Sequence, residues 1–153
     1  MKILLPYLTV KNANSLIDYY NKIFGVQLEY KTTYGEMPRD DVGFQWSEDD
    51  DDLIAFASLK FPNGQLMYLS DSFPGSSEIE NSNVSLYIAF DDKDEIKRVF
   101  EELASEGEVL MELENTFWSE LFASVKDKFG IEWNLEYTTK IPEISKVVEN
   151  PRH

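Results

Sequence analysis

Cysteine is absent from this chain, and histidine occurs once, as the terminal His153. Without a thiol there is no disulfide frame, no thiolate metal site and no cysteine nucleophile. Without a placed imidazole, a serine such as Ser70 or Ser85 lacks the base of an ordinary catalytic triad. Positive charge is also scarce: 14 Lys and Arg stand against 29 Asp and Glu, a formal net charge of -15. That field repels a phosphate backbone and an anionic lipid surface, so neither nucleic acid nor membrane is an expected partner, whereas a cationic ligand is drawn in. No apolar run approaches the length needed to span a bilayer. Ile3 to Leu8 is short, interrupted by Pro6 and without a small-residue cleavage site, so a secretory signal is not expected and a cytoplasmic location is. The 7 glycines form no glycine-rich loop after a strand, which leaves no readable dinucleotide or adenosyl site.

What the chain does contain is a pattern written twice. A strand-like ILLPYLTV (Ile3 to Val10) leads into an apolar-striped segment, Asn12 to Phe24, that stops at Gly25, and a strand QLMYLS follows Asn63-Gly64. Then NVSLYIAF (Asn83 to Phe90) leads into Asp92 to Glu106, stopped by Gly107, and IEWNLEY follows Phe129-Gly130. Leu16, Ile17, Tyr20, Ile23 and Phe24 in the first copy, and Ile96, Val99, Phe100, Leu103 and Ala104 in the second, recur at helical spacing, with Asn12 or Asn14 and Asp91 or Asp92 as caps. Between helix and last strand each copy holds two more strand candidates: Val26 to Thr33 and Leu53 to Phe61, then Glu108 to Leu113 and Leu121 to Asp127. Each copy therefore predicts strand, helix and three strands. The helix-ending glycines lie 82 residues apart and the later glycines 66, so the second copy is 16 residues shorter. The polar tract Glu36 to Asp52 accounts for the difference as a loop inserted between strands, where added length costs little. One domain is expected over residues 1–153, with a first module to about residue 71, a linker over 71–82, a second module over 83–137 and a tail over 138–153.

Side chains alternate across a strand, so parity sorts the inner strands into two faces. One face is apolar: Leu4, Leu8, Met67, Leu69, Val84, Leu86, Ile88, Phe90, Ile131, Trp133, Leu135 and Tyr137 are expected against the helices. The opposite face carries Leu5, Tyr7 and Thr9, then Leu66, Tyr68 and Ser70, then Ser85, Tyr87 and Ala89, and finally Glu132, Asn134 and Glu136. Aromatics, hydroxyls, an amide and carboxylates together suit a small-molecule site; the same pattern also suits a plain solvent-facing sheet.

Paired modules of this kind resemble the vicinal-oxygen-chelate superfamily, the fold of glyoxalase I, extradiol dioxygenases and bleomycin-resistance proteins. PYLTVKNANSLIDYYNKIFG, MYLSD, NVSLYIAFDD and TFWSELFASVKDKFGIEWNLEY look as a set like its PhnB-like branch, often labelled demethylubiquinone methyltransferase-like. The resemblance implies an α+β fold, two tandem βαβββ modules forming a curved mixed-sheet cup with helices on the outer face, and a homodimer built side by side or by module exchange. It also implies four metal-ligand positions, which the landmarks place at Leu5, Tyr68, Ser85 and Asn134, and a strand position often held by histidine, here Phe56. None of these residues is a good ligand for zinc, nickel or iron, so no metal and no cofactor is expected.

The remaining candidates are read more locally. Glu48 to Asp52 is acidic, yet it lacks the alternating ligands and turn glycine of a calcium loop and reads as a solvated, mobile loop. Asn83-Val84-Ser85 fits a glycosylation pattern without information in such a chain. Tyr7, Tyr68 and Tyr87 are expected to hold a flat or cationic group, with Ser85 and Asn134 beside them, and Phe117 and Trp118 either rim the site or seal a subunit contact. The leading expectation is metal-free binding of a small organic, cationic molecule. Two others stay open: a lyase or isomerase with Glu132 or Glu136 as base and a tyrosine as acid, and an acidic protein-interaction module.

Overall fold

Asn12 takes the left-handed conformation (φ 62°) that a short amide side chain tolerates, and its side chain accepts a hydrogen bond from Ser15 N, so helix α1 starts immediately after it. In the computed structural model, which describes residues 1–37, 47–73 and 83–140, α1 runs Ala13–Phe24 and stops at Gly25 (φ 71°). Its buried stripe is Ala13, Leu16, Tyr19, Tyr20 and Ile23; Ala13 and Tyr19 add to the expected set, and Ile17 and Phe24 are only half-buried. Helix α2 (Lys93–Glu106) starts at Asp92, whose Oδ1 accepts from Asp94 N and Glu95 N, and it buries Ile96, Val99 and Leu103.

The strands complete two modules of the same plan: β1 (Tyr7–Val10), α1, β2 (Gln27–Thr33), β3 (Ile54–Lys60) and β4 (Leu66–Asp71), then β5 (Leu86–Phe90), α2, β6 (Glu108–Glu114), β7 (Leu121–Lys126) and β8 (Glu132–Tyr137). The first four strands form one mixed sheet in the order β1-β4-β3-β2 and the last four another in the order β5-β8-β7-β6. In each sheet the first strand runs parallel to the last, and the other neighbours are antiparallel. The fold is therefore α+β with tandem βαβββ modules. The chain divides into two compact units, Met1–Glu80 and Asn81–His153.

The duplication extends to the hairpins. Gly64 and Gly130 both have positive φ (91° and 86°), and their N–H groups donate to Phe61 O and Asp127 O at the same 2.9 Å. Within each unit the helix packs on its own sheet, α1 against β3 and β4 and α2 against β7 and β8. Leu16, Ile54, Leu59 and Leu69 are wholly buried in the first unit, as are Ile96, Leu103, Val125 and Leu135 in the second. Removing each such side chain from water contributes about 1.5–3 kcal/mol before entropy is subtracted.

Asp71 and Asp127 are both buried. Asp71, expected at the start of the linker, is the last residue of β4: its Oδ1 accepts from Ala13 N and its Oδ2 from Ile54 N, tying the helix start and β3 to one carboxylate. Asp127 Oδ1 accepts from Phe129 N and Ile131 N and its Oδ2 from the Trp133 indole N–H, so it braces the hairpin before β8.

Some sequence expectations need correction. Leu4 and Val84 are 89% and 69% exposed instead of lying on the buried face. The first ladder begins only at Tyr7, because Pro6 has no N–H to donate and contributes just its carbonyl, which accepts from Tyr68 N. Val84 lies two residues before the β5–β8 ladder opens at Leu86, so it is outside the sheet whose parity was assumed. The acidic run closes a short 3-10 turn, Glu48–Asp50, capped by the Ser47 hydroxyl. Gly35 N donates to Asp51 O and Asn14 Nδ2 to Asp52 O, while Glu48, Asp49 and Asp52 stay exposed as a solvated loop should. The greater part of the expected linker and the tail after Lys140 lie outside the described residues, as does much of the tract from Glu36 to Asp52. Among the described residues no helix is long and apolar enough to cross a membrane.

Candidate functional site

Strand pairing places one line of side chains across each sheet on the face away from its helix. In the first unit Tyr30 on β2 opposes Ser58 on β3, Ser58 opposes Tyr68 on β4, and Tyr68 opposes Tyr7 on β1. Phe56, two residues before Ser58 and so on the same face, packs among these rings. Its centroid lies 4.8 Å from Tyr68 in an edge-on arrangement, 6.0 Å from Tyr30 and 6.3 Å from Tyr7. Tyr7 and Tyr30 remain more than half exposed, at 52% and 56%, whereas the small Ser58 between them is buried. The Thr32 hydroxyl donates to the Tyr30 hydroxyl at 2.6 Å.

In the second unit the equivalent line is Met111 on β6, Ser124 on β7, Asn134 on β8 and Tyr87 on β5. Serine is kept at the centre and tyrosine at the end. Asn134 Nδ2 donates to Ser85 Oγ at 2.8 Å, and the Tyr87 hydroxyl donates to Glu136 Oε1. Burial first, then the hydrogen bond to Glu136 and its charge, push the Tyr87 phenol from 10.0 up to about 12. Glu132 faces the same side opposite Lys126. Phe117 and Trp118 sit between β6 and β7, with Phe117 97% exposed and Trp118 packed edge-on against Phe122 at 5.6 Å.

The predicted residues thus group within their units: Tyr7 with Tyr68, and Tyr87, Asn134 and Glu136 on the β5–β8 pair, with Ser85 just before β5 bonded to Asn134. Phe117 and Trp118 form a separate aromatic tip. Tyr30 lies on β2, outside the inner strands that parity sorted, and its side is set by a bulge: Leu28 opposes Leu59 but Tyr30 opposes Ser58, so Glu29 is the extra residue. Plain alternation would put Tyr30 beside Leu28, on the helix side. The second unit repeats the shift between Val109 and Met111. Tyr34, buried in the 3-10 turn Tyr34–Glu36 that follows β2, has a phenol pKa raised by burial first and then by the nearby Asp71 carboxylate and Tyr7.

The four positions that metal-using relatives fill with ligands do not fit a divalent ion here. Leu5 has no donor atom, Tyr68 packs against Phe56, and Ser85 and Asn134 are neutral and bonded to each other. Among the described residues no group of three or more His, Cys, Asp or Glu is arranged to hold a metal.

The family model of the Glyoxalase/Bleomycin resistance protein/Dioxygenase superfamily matches residues 2–135. Protein YjdN of Escherichia coli (strain K12) is 32% identical over 148 residues, covering 91% of this chain and 97% of that protein. Among solved structures, protein PA1353 from Pseudomonas aeruginosa superposes with a TM-score of 0.77 at 27% identity, over 90% of this chain and 98% of that one. A PhnB protein from Bacillus cereus superposes with a TM-score of 0.74 at 24% identity, over 90% and 100%, a likeness of fold. With a match over nearly its full length and the module plan repeated strand by strand, the chain belongs to the Glyoxalase/Bleomycin resistance protein/Dioxygenase superfamily.

Proposed function

We propose that the protein binds a small organic molecule carrying positive charge, through sheet faces that use side chains and no metal. The observation that carries this reading is the ring cluster of the first unit, in which Tyr7, Tyr30 and Tyr68 surround Phe56 with two of the tyrosines more than half exposed. Each ring face within reach of a cation contributes about 0.5–2 kcal/mol. The formal charge of -15 adds a long-range attraction for cations. A pair of chains is part of the same reading, because among the described residues β1, β2, β5 and β6 each have a neighbour on only one side within their own sheets, and such edges favour pairing. Equilibrium dialysis or a thermal-shift series with cationic glycopeptides, amines and neutral aromatics tests the binding. A ligand held at about 100 times its Kd should add about 2.7 kcal/mol of stability, and indifference to every class counts against the proposal.

One observation favours a second reading, that of a lyase or isomerase: the Tyr87 hydroxyl already donates to Glu136, which is the contact a proton relay needs. In that reading Glu136 takes a proton from a carbon acid and Tyr87 returns one to the neighbouring oxygen, with Glu132 as the other candidate base. Turnover of small dicarbonyls that disappears in Glu136→Gln or Glu132→Gln supports it; no turnover by the intact protein removes it. An acidic interaction module would instead retain a protein partner in a pull-down while every small molecule failed to bind.

A further inference from the structure

We infer that the tyrosine line of the first unit selects a quaternary ammonium group over a primary ammonium on the same carbon skeleton, an inference that rests on the proposed binding of an organic cation. A primary ammonium brings three N–H donors, each of which loses water on binding and needs an acceptor in return. A quaternary ammonium has no donor, is weakly hydrated and is held by ring faces alone.

The chemistry across β1 to β4 suits the second kind. Tyr7, Tyr30, Phe56 and Tyr68 supply four rings on one face, and the side chains between and beside them, Ser58 and Thr32, carry hydroxyls and no carboxylate. Ser58 is buried beneath the rings, and the Thr32 hydroxyl is engaged with Tyr30. The nearest acid on β2 is the bulged Glu29, which pairs with Lys60 at 3.6 Å. A cation resting on these rings therefore meets aromatic faces without a charged acceptor in the line, and its attraction comes from the ring quadrupoles and the field of the whole chain.

The second unit makes the contrast within one molecule. At the register positions of Tyr68 and Tyr30 it has Asn134 and Met111, and its tyrosine is joined to Glu136. Amide and carboxylate oxygens there suit a ligand with N–H donors. The two copies have kept the backbone and separated in the kind of nitrogen they can hold.

Three ligands on the same two-carbon alcohol decide the question for the full chain: choline, ethanolamine, and the neutral isostere of choline in which carbon replaces nitrogen. Titrations followed by chemical-shift changes of the aromatic resonances should give choline a Kd about tenfold or more below that of either other ligand. Tyr30→Leu and Phe56→Leu should each weaken choline by about two- to thirtyfold. Tyr30 is more than half exposed, so its variant keeps the fold, and an unchanged denaturation midpoint verifies that. Ethanolamine bound as tightly as choline overturns the inference and leaves the organic-cation reading standing. The isostere bound as tightly as choline overturns both, and so does failure of these three together with every cation of the dialysis series. Choline binding that survives Tyr30→Leu and Phe56→Leu but is lost in Glu136→Gln overturns the placement in the first unit.

Discussion

Tyr7 and Tyr87 hold the same register position in the two units, yet Tyr7 packs against Phe56 while Tyr87 donates to Glu136. The consequence is a pH dependence with a definite sign. The folded chain keeps the Tyr87 proton up to about pH 12, whereas the ordinary value of 10.0 applies once the chain unfolds. Between those values the unfolded state has released a proton that the native state retains. The stabilisation is therefore complete below pH 10 and is lost as pH rises through about 12. Glu136→Gln removes the charge and the carboxylate acceptor, so absorbance titration of the variant should show one phenol ionising at lower pH than before; coincident curves would refute the link. At this scale the sequence was informative where alternation held, as for Tyr7, Tyr68, Tyr87 and Asn134. It was silent on Tyr30, whose side is set by the extra residue at Glu29.

Two glycines that look alike in the sequence end their helices for different reasons. Gly25 has φ 71°, the left-handed turn that a residue without Cβ takes cheaply. Gly107 has φ -115° and needs no such freedom. There a Cβ would lie 2.3 Å from Lys126 O and 2.7 Å from Leu103 O, so glycine is required because the end of β7 passes against the helix end. Gly64 is the opposite case, with φ 91° and no atom within 4 Å of an added Cβ. Gly64→Ala should cost about 1–2 kcal/mol from backbone conformation alone. Gly107→Ala should cost more, about 2–3 kcal/mol or above, since backbone must move to admit the methyl. Denaturant midpoints of the two variants check the ranking, and the reverse order would contradict the close approach. Element types, order and most boundaries were legible from periodicity and caps, because those signals act between residues a turn apart. The close approach at Gly107 was not, since its cause lies on another strand.

Across the whole molecule the repeated plan is the organising fact, from the strand orders to the paired hairpin hydrogen bonds at Gly64 and Gly130. Sedimentation equilibrium tests the proposed pairing of chains: about twice the 17.7 kDa of one chain is expected, and a single-chain mass across concentrations would dismiss it. The sequence by itself determined that two copies exist, that each reads strand, helix and three strands, and which residues of a regular strand share a side. The family followed from the same landmarks. Tertiary structure decided the rest: that each first strand lies parallel to its module's last, that Tyr30 completes the aromatic line, and that Asp71 serves Ala13 and Ile54, 58 and 17 residues away. Alternation and capping are local and survive in a linear string. Register, bulges and buried carboxylates depend on which distant strands meet, and that is settled only when the apolar faces pack together.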